Sequence, residues 1–272
     1  MRILISVDIE GVAGVVHPDQ TREGNSEYAL ARRWMTREAN AAVAGAIDGG
    51  ATELTIADAH GSYRNLIVDE LDPRARLAMG KPRTLGMLAG LEAGFDGVML
   101  VGFHARSQAR GVLAHTINSS AFARLWVNGQ EFGEAGLYGA LAGEVGVPVL
   151  LASGDDAFVE ETRPLFPGCQ FVVTKESTGR HSAISRSPQL SCEAIAAGAR
   201  QAMAAVGTLR PLRLETPVLT RLQTQTSAHA DLFCQWPTFE REDAVTLRFR
   251  SETIEQTVRV LNCLSAMAFA LR

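Results

Sequence analysis

The feature that most constrains this chain is a repeated alternation of short apolar runs with longer segments of helical period. Residues 2–7, Arg-Ile-Leu-Ile-Ser-Val, are aliphatic and β-branched and stop at Asp8, which is how a buried strand meets a polar loop. Ser26 then opens a helix whose apolar positions, among them Tyr28, Ala31, Met35, Ala39, Ala42, Val43 and Ile47, recur at helical spacing until Gly49-Gly50 ends it. A second strand over 53–57 completes a βαβ unit, whose crossover is right-handed in nearly all known cases. The pattern continues with a helix near 84–93, strands over 96–102 and 124–128, a helix over 133–145 and a strand over 148–152. It predicts an α/β three-layer sandwich in which a largely parallel sheet is covered on both faces.

The polar run Gly207-Thr208-Leu209-Arg210-Pro211 is the best boundary. It divides the chain into an α/β domain over 1–206, which holds all the chemistry-bearing strand ends described below, and a small C-terminal α+β subdomain over 207–272. The second part reads as strand, helix, strand, helix. Its last helix, over 252–271, sets Ile254, Val258, Leu261, Leu264 and Ala268 on one stripe.

Composition removes several function classes. With 46% hydrophobic and 21% charged residues in 272, the chain can bury a full core without disulfides. A formal charge of −4 does not suit a polybasic nucleic-acid binder. Cys169, Cys192, Cys234 and Cys263 form no close pair, so they make neither a zinc ribbon nor a CxxC motif and read as reduced thiols. Asp8 and Glu10 interrupt the apolar start before a signal-peptide core forms. No stretch approaches the roughly 20 apolar residues of a membrane span. The expectation is a cytoplasmic protein with neither nucleic acid nor membrane as partner.

Chemistry concentrates at the strand ends. Ser6, Asp8 and Glu10 share one side if the extended conformation persists, because strand side chains alternate. Asp58-Ala59-His60 follows the second strand, and Gly102-Phe103-His104 follows the strand over 96–101. In an open parallel sheet ligands gather beyond the carboxyl ends of the strands. Carboxylate and neutral imidazole there form a plausible zinc shell. Glu134, in the turn that opens the helix over 133–145, can aim a fourth group inward. Singly, each residue has a structural reading: a loop carboxylate, a satisfied histidine, or, for Glu134, a group favouring the helix dipole. Their joint position at one sheet edge favours a site. His115 follows His104 on a loop, where ligand, general base and surface residue are equal readings. His17, His181 and His229 have no comparable setting.

The run Ser6-Val7-Asp8-Ile9-Glu10-Gly11 resembles the SxDxEG signature of the DppA-type D-aminopeptidases. The resemblance extends through Met35–Asn40, Ala57–His60, Gly102–Ala105, Gly111–His115, Gly133-Glu134 and Ser153–Asp156 in the family's order. It implies two zinc ions per subunit held by Asp8, Glu10, His60, His104 and Glu134, with Asp8 bridging them and His115 as the catalytic nucleophile or base. It also implies a short peptide as substrate, with a D-residue at its amino end, and a homo-oligomeric ring, a decamer. Paired divalent ions suit this chemistry because they activate water and polarise a carbonyl together, and a shared carboxylate offsets their repulsion. Asp58 either orients His60 through its second ring nitrogen or accepts backbone N–H bonds in its loop.

The segment Lys175-Glu176-Ser177-Thr178-Gly179-Arg180-His181 departs from the family's Lys-x-x-x-x-Arg stretch by the added His181, so pocket shape and stereospecificity are open, with L-selective or broad specificity as alternatives. Two further readings compete. A two-metal phosphoesterase would use the same ligands, although no GxxxxGKS/T cradle occurs. A metal-stabilised, non-catalytic oligomeric module would favour Cys and His saturating four positions, whereas this set is rich in carboxylates.

Overall fold

A computed structural model of the chain describes residues 1–271. A central seven-stranded sheet contains β1 (Arg2–Val7), β2 (Glu53–Asp58), β3 (Ala75–Ala78), β4 (Gly97–Phe103), β7 (Val149–Asp155), β8 (Gln170–Gly179) and β9 (Ser182–Ser185) in the order β3-β2-β1-β4-β7-β8-β9. All neighbours are parallel except β8 and β9. The chain runs outward from β1 to β2 and β3, then returns to lay β4 on the other side of β1. The carboxyl ends of β1 and β4 therefore flank the switch point, where a crevice opens in sheets of this kind.

Two apolar cores sandwich the sheet. On one face α1 (Tyr28–Asp48) and α4 (Pro188–Ala202) close over Ile3, Ile5, Val7, Met99 and Val101. On the other, α2 (Glu134–Glu144) joins Leu4, Val98, Leu100 and Phe103 in the larger core. That core continues into a second, antiparallel sheet of order β11-β12-β10-β5-β6. Its strands are β5 (Phe122–Val127), β6 (Gln130–Glu131), β10 (Val218–Thr224), β11 (Glu240–Arg241) and β12 (Thr246–Ser251). The architecture is the α/β sandwich with a largely parallel sheet that the alternation predicted. The remaining helices are α3 (Asp156–Thr162), α5 (Ser227–Phe233) and α6 (Ile254–Met267).

Some expectations need correction. The segment 84–93 holds two single 3-10 turns, Gly86–Leu88 and Leu91–Ala93, because Gly86, Gly90 and Gly94 all take positive φ and no α-helix can pass through them. The run 124–128 is a strand, but it belongs to the antiparallel sheet. The last helix ends its α-turns at Met267 and finishes as a 3-10 turn over Ala268–Leu271. Beyond residue 207 the strand and helix order is as predicted, with the short β11 added. β5 pairs with β10, so a hairpin from the first 206 residues is built into the sheet of the C-terminal part; the division at 206/207 stands as a proposal about folding units.

Candidate metal centre

Four strand or helix ends meet at the switch point. Asp8 continues β1 by one residue, donating its backbone N–H to Val101 O at 2.8 Å. The chain then turns sharply enough for Gly11 to donate to Gly102 O at 2.8 Å. Gly11 is obligatory, because a Cβ there would strike the Phe103 carbonyl oxygen, and Gly102, at φ +71°, has Asp8 O in the same position. The two glycines let the ends of β1 and β4 touch, which draws Asp8 and Glu10 toward His104. His60 arrives from the end of β2 and Glu134 from the first turn of α2, where Gly133 is the N-cap.

The structure brings all five expected ligand residues together, with His115 beside them. Nδ1 of His60 lies 3.2 Å from Asp8 Oδ1 and 3.0 Å from Glu10 Oε2. Nε2 of His104 lies 3.5 Å from Asp8 Oδ2 and 3.4 Å from Glu134 Oε1. Asp8 thus offers one oxygen to each of two imidazoles. His115 stacks on His104 with ring centroids 4.1 Å apart and brings Nε2 to 3.7 Å from Glu134 Oε1. Donor atoms of Asp8, Glu10 and His104 lie within 4.8 Å of one another, and so do those of His104, His115 and Glu134.

The outward nitrogen of each ring meets a backbone carbonyl. His60 Nε2 donates to Thr21 O, His104 Nδ1 to Ala105 O and His115 Nδ1 to Leu113 O, each at 2.9 Å. A carbonyl accepts only, so in the neutral rings the inward nitrogens carry lone pairs. Lone pairs then face carboxylate oxygens across the centre. His104 Nε2 and Glu10 Oε2 are buried with no hydrogen-bond partner among the described residues. An acceptor set of this kind needs cations, and three carboxylates with imidazoles are the oxygen and nitrogen donors of zinc. The residues fit such a metal.

Without metal, protons must supply that positive charge. Burial opposes charge on His104, but Glu134, Asp8 and Glu10 outweigh it and push its pKa up to about 10. His60 is likewise raised against burial, by Glu10 and Asp8. Burial, then Glu10, pushes Asp8 up to about 7. Glu10 is held well below the usual carboxylate range despite burial, chiefly by His60. His115 goes the other way: burial and the neighbouring His104 lower it, which keeps a base neutral near pH 7.

A buried layer fixes the loop that carries Glu10. Lys175, from β8, donates Nζ to Glu10 O at 2.5 Å, Val12 O at 2.9 Å and Val15 O at 2.5 Å. Burial lowers its pKa to about 8. Thr174 donates to Gly11 O at 2.6 Å. Glu38, from α1, accepts from Ala13 N at 3.0 Å and Ser191 Oγ at 2.7 Å. Asp155 caps α3 through Phe158 N at 2.8 Å and accepts Val112 N at 2.6 Å, tying down the loop before His115. That loop is strained: Gln108, Leu113 and Ile117 have positive φ, costing about 1–3 kcal/mol each, and Ile117 N donates to Glu134 Oε1 at 2.6 Å.

Sequence reasoning missed most of this layer, since a buried lysine on a strand reads as surface charge until its carbonyls are known. Asp58 does not orient His60. It accepts Asn65 N at 2.5 Å and Leu66 N at 2.8 Å as a loop carboxylate, and Thr21 holds the ring instead. His181 is exposed and packs edge-on against His17, 5.5 Å away.

Comparison with known proteins identifies the chain's relatives. Residues 1–263 match the model of a family described as D-aminopeptidase. A D-aminopeptidase from Bacillus subtilis (strain 168) is 35% identical over 190 residues, 69% of this chain and 68% of that protein. The solved structure of the Zn-dependent D-aminopeptidase DppA from Bacillus subtilis, described as a self-compartmentalizing protease, superposes with a TM-score of 0.95. The match covers 99% of this chain and 98% of the other at 27% identity.

Proposed function

Because the chain belongs to the D-aminopeptidase family, we propose that it is a zinc-dependent aminopeptidase that removes the amino-terminal residue of short peptides, with a preference for D-residues there. Two zinc ions per subunit would be held by Asp8, Glu10, His60, His104 and Glu134, with Asp8 shared between them. The observation that carries this reading is the set of inward lone pairs: three imidazoles committed outward to carbonyls, facing three buried carboxylates.

When bound, zinc supplies a Lewis acid and makes water nucleophilic near neutral pH. The chain's own residues do the rest. Lys175 and Thr174 hold the loop that carries Glu10, through the backbone carbonyls of Glu10 and Gly11, and keep it from moving as charge develops. His115 Nε2 takes the proton released as water oxygen adds to the peptide carbonyl carbon, then returns it to the nitrogen that departs as the C–N bond breaks. Stacking on His104 and the Nδ1 bond to Leu113 O hold the ring in the tautomer for this exchange.

We extend to this chain an assembly of identical subunits in a ring, ten as the sequence resemblance implies, and a cytoplasmic location. Among the described residues no helix is long and apolar enough to cross a membrane. A panel of D- and L-aminoacyl dipeptides, assayed before chelation, after chelation and after zinc return, tests the function. Cleavage lost with the chelator and restored by zinc is expected. Cleavage indifferent to the chelator contradicts it, and phosphate-ester hydrolysis without peptide cleavage replaces it with a phosphoesterase.

A further inference from the structure

A polar cavity of about 310 Å³ opens directly beside His115, at the small end of ligand pockets. Its other lining side chains include Ser107, Gln108, Ser119, Gln225 and Arg180, and no carboxylate is among them. Arg180 is the one charged residue of the wall and is exposed. Among the described residues its guanidinium makes one hydrogen bond, Nη1 to Ala114 O at 2.5 Å, and no ion pair. Its backbone carbonyl accepts Leu113 N at 2.9 Å. Arg180 is thereby fixed to the loop that presents His115, while the rest of its donor fork is open to an anion.

A peptide with a free C-terminus carries an anion there, its terminal carboxylate. Each extended residue adds roughly 3.3–3.6 Å. With the scissile bond beside His115, only a chain of two or three residues puts its carboxylate in the same small cavity. We propose that Arg180 is a specificity residue that binds the C-terminal carboxylate of the substrate, so that the site selects di- and tripeptides with a free carboxyl end. This rests on the aminopeptidase reading of the same site. The added His181 departs from the pattern next to Arg180 but does not line the cavity.

The test compares D-alanylglycine with its C-terminal amide on the zinc-loaded full chain, in the native protein, Arg180→Gln and Arg180→Lys. For Arg180→Gln, kcat/KM should fall roughly ten- to a hundredfold on the free dipeptide, mainly through KM, and less than about twofold on the amide. Arg180→Lys should recover part of the loss, with zinc content unchanged throughout. Equal losses on both substrates, as a loosened His115 loop would give, overturn the proposal. A second measurement is independent of turnover: calorimetric binding of a dipeptide analogue with CH2–NH in place of the amide, as carboxylate and as carboxamide. The native chain should prefer the carboxylate at least about tenfold and Arg180→Gln should not; no preference in the native chain, or one unchanged in the variant, overturns the proposal. If that preference holds while no peptide is cleaved, the role of Arg180 stands and the hydrolytic reading falls.

Discussion

Nδ1 of His60 stands 3.0 Å from Glu10 Oε2, yet that oxygen has no hydrogen-bond partner among the described residues. The reason lies on the far side of the ring, where Nε2 is committed to Thr21 O. A neutral His60 therefore points a lone pair at a carboxylate, and only a proton or a metal ion between them makes the contact favourable.

Metal binding should consequently expel protons. Both His60 and His104 are raised above the usual imidazole range, His104 to about 10, so near neutral pH His104 holds an extra proton in metal-free protein and His60 is shifted toward holding one. Zinc can bind only after such protons leave. Calorimetric titration in buffers of differing ionisation enthalpy should give net proton release, at least about one per chain. A proton count near zero would mean that the imidazoles are not displaced.

Asp8→Ala should cost the protein its metal, because Asp8 turns a separate oxygen to each of two expected ligand imidazoles, Oδ1 to His60 and Oδ2 to His104. Elemental analysis of the purified variant should find well under half the zinc of the native chain. Full occupancy would show that Asp8 is not shared.

His115→Ala should separate binding from turnover. His115 stands at the edge of the cluster with 18% of its side chain exposed, 3.7 Å from Glu134. Zinc content is expected to stay native while kcat drops roughly a hundredfold or more, the usual worth of a positioned acid-base group. A variant that loses metal in step with activity would make His115 a ligand instead.

How much of this was legible in the sequence follows from where each residue lies. Asp8, His60, His104 and Glu134 each terminate a recognisable strand or open a recognisable helix, and a parallel sheet gathers such ends at one edge. The Thr21 carbonyl that orients His60 and the carbonyls that hold Lys175 are backbone atoms of loops, which no side-chain pattern announces. Asp58 read equally as an orienter of His60 and as a loop carboxylate accepting backbone N–H bonds, because spacing cannot say which way a loop folds. The run 124–128 had strand character but nothing to say which sheet it would join. The glycines of 84–94 contradicted a helix that their apolar neighbours suggested.

Glu38 gives a pH prediction outside the ligand set. Burial pushes its pKa from 4.5 up to about 7, although Ser191, the Ala13 N–H and Lys175 oppose this. The fold prefers the neutral acid, so this contribution to stability is fully present below about pH 4.5 and is lost as pH rises through about 7. The loss is roughly 3 kcal/mol at most. Glu38→Gln keeps the acceptor for Ala13 and Ser191 and removes the titration. Urea unfolding of metal-free protein between pH 5 and about 8 should show a shallower decline for the variant; identical slopes would place the titration elsewhere.

Anomalous diffraction at the zinc edge from zinc-loaded crystals tests the central claim most directly. The account predicts two peaks per subunit, one bounded by Asp8, Glu10 and His60 and the other by Asp8, His104 and Glu134. A map with no peak among these residues, or with zinc only at the surface, would contradict it.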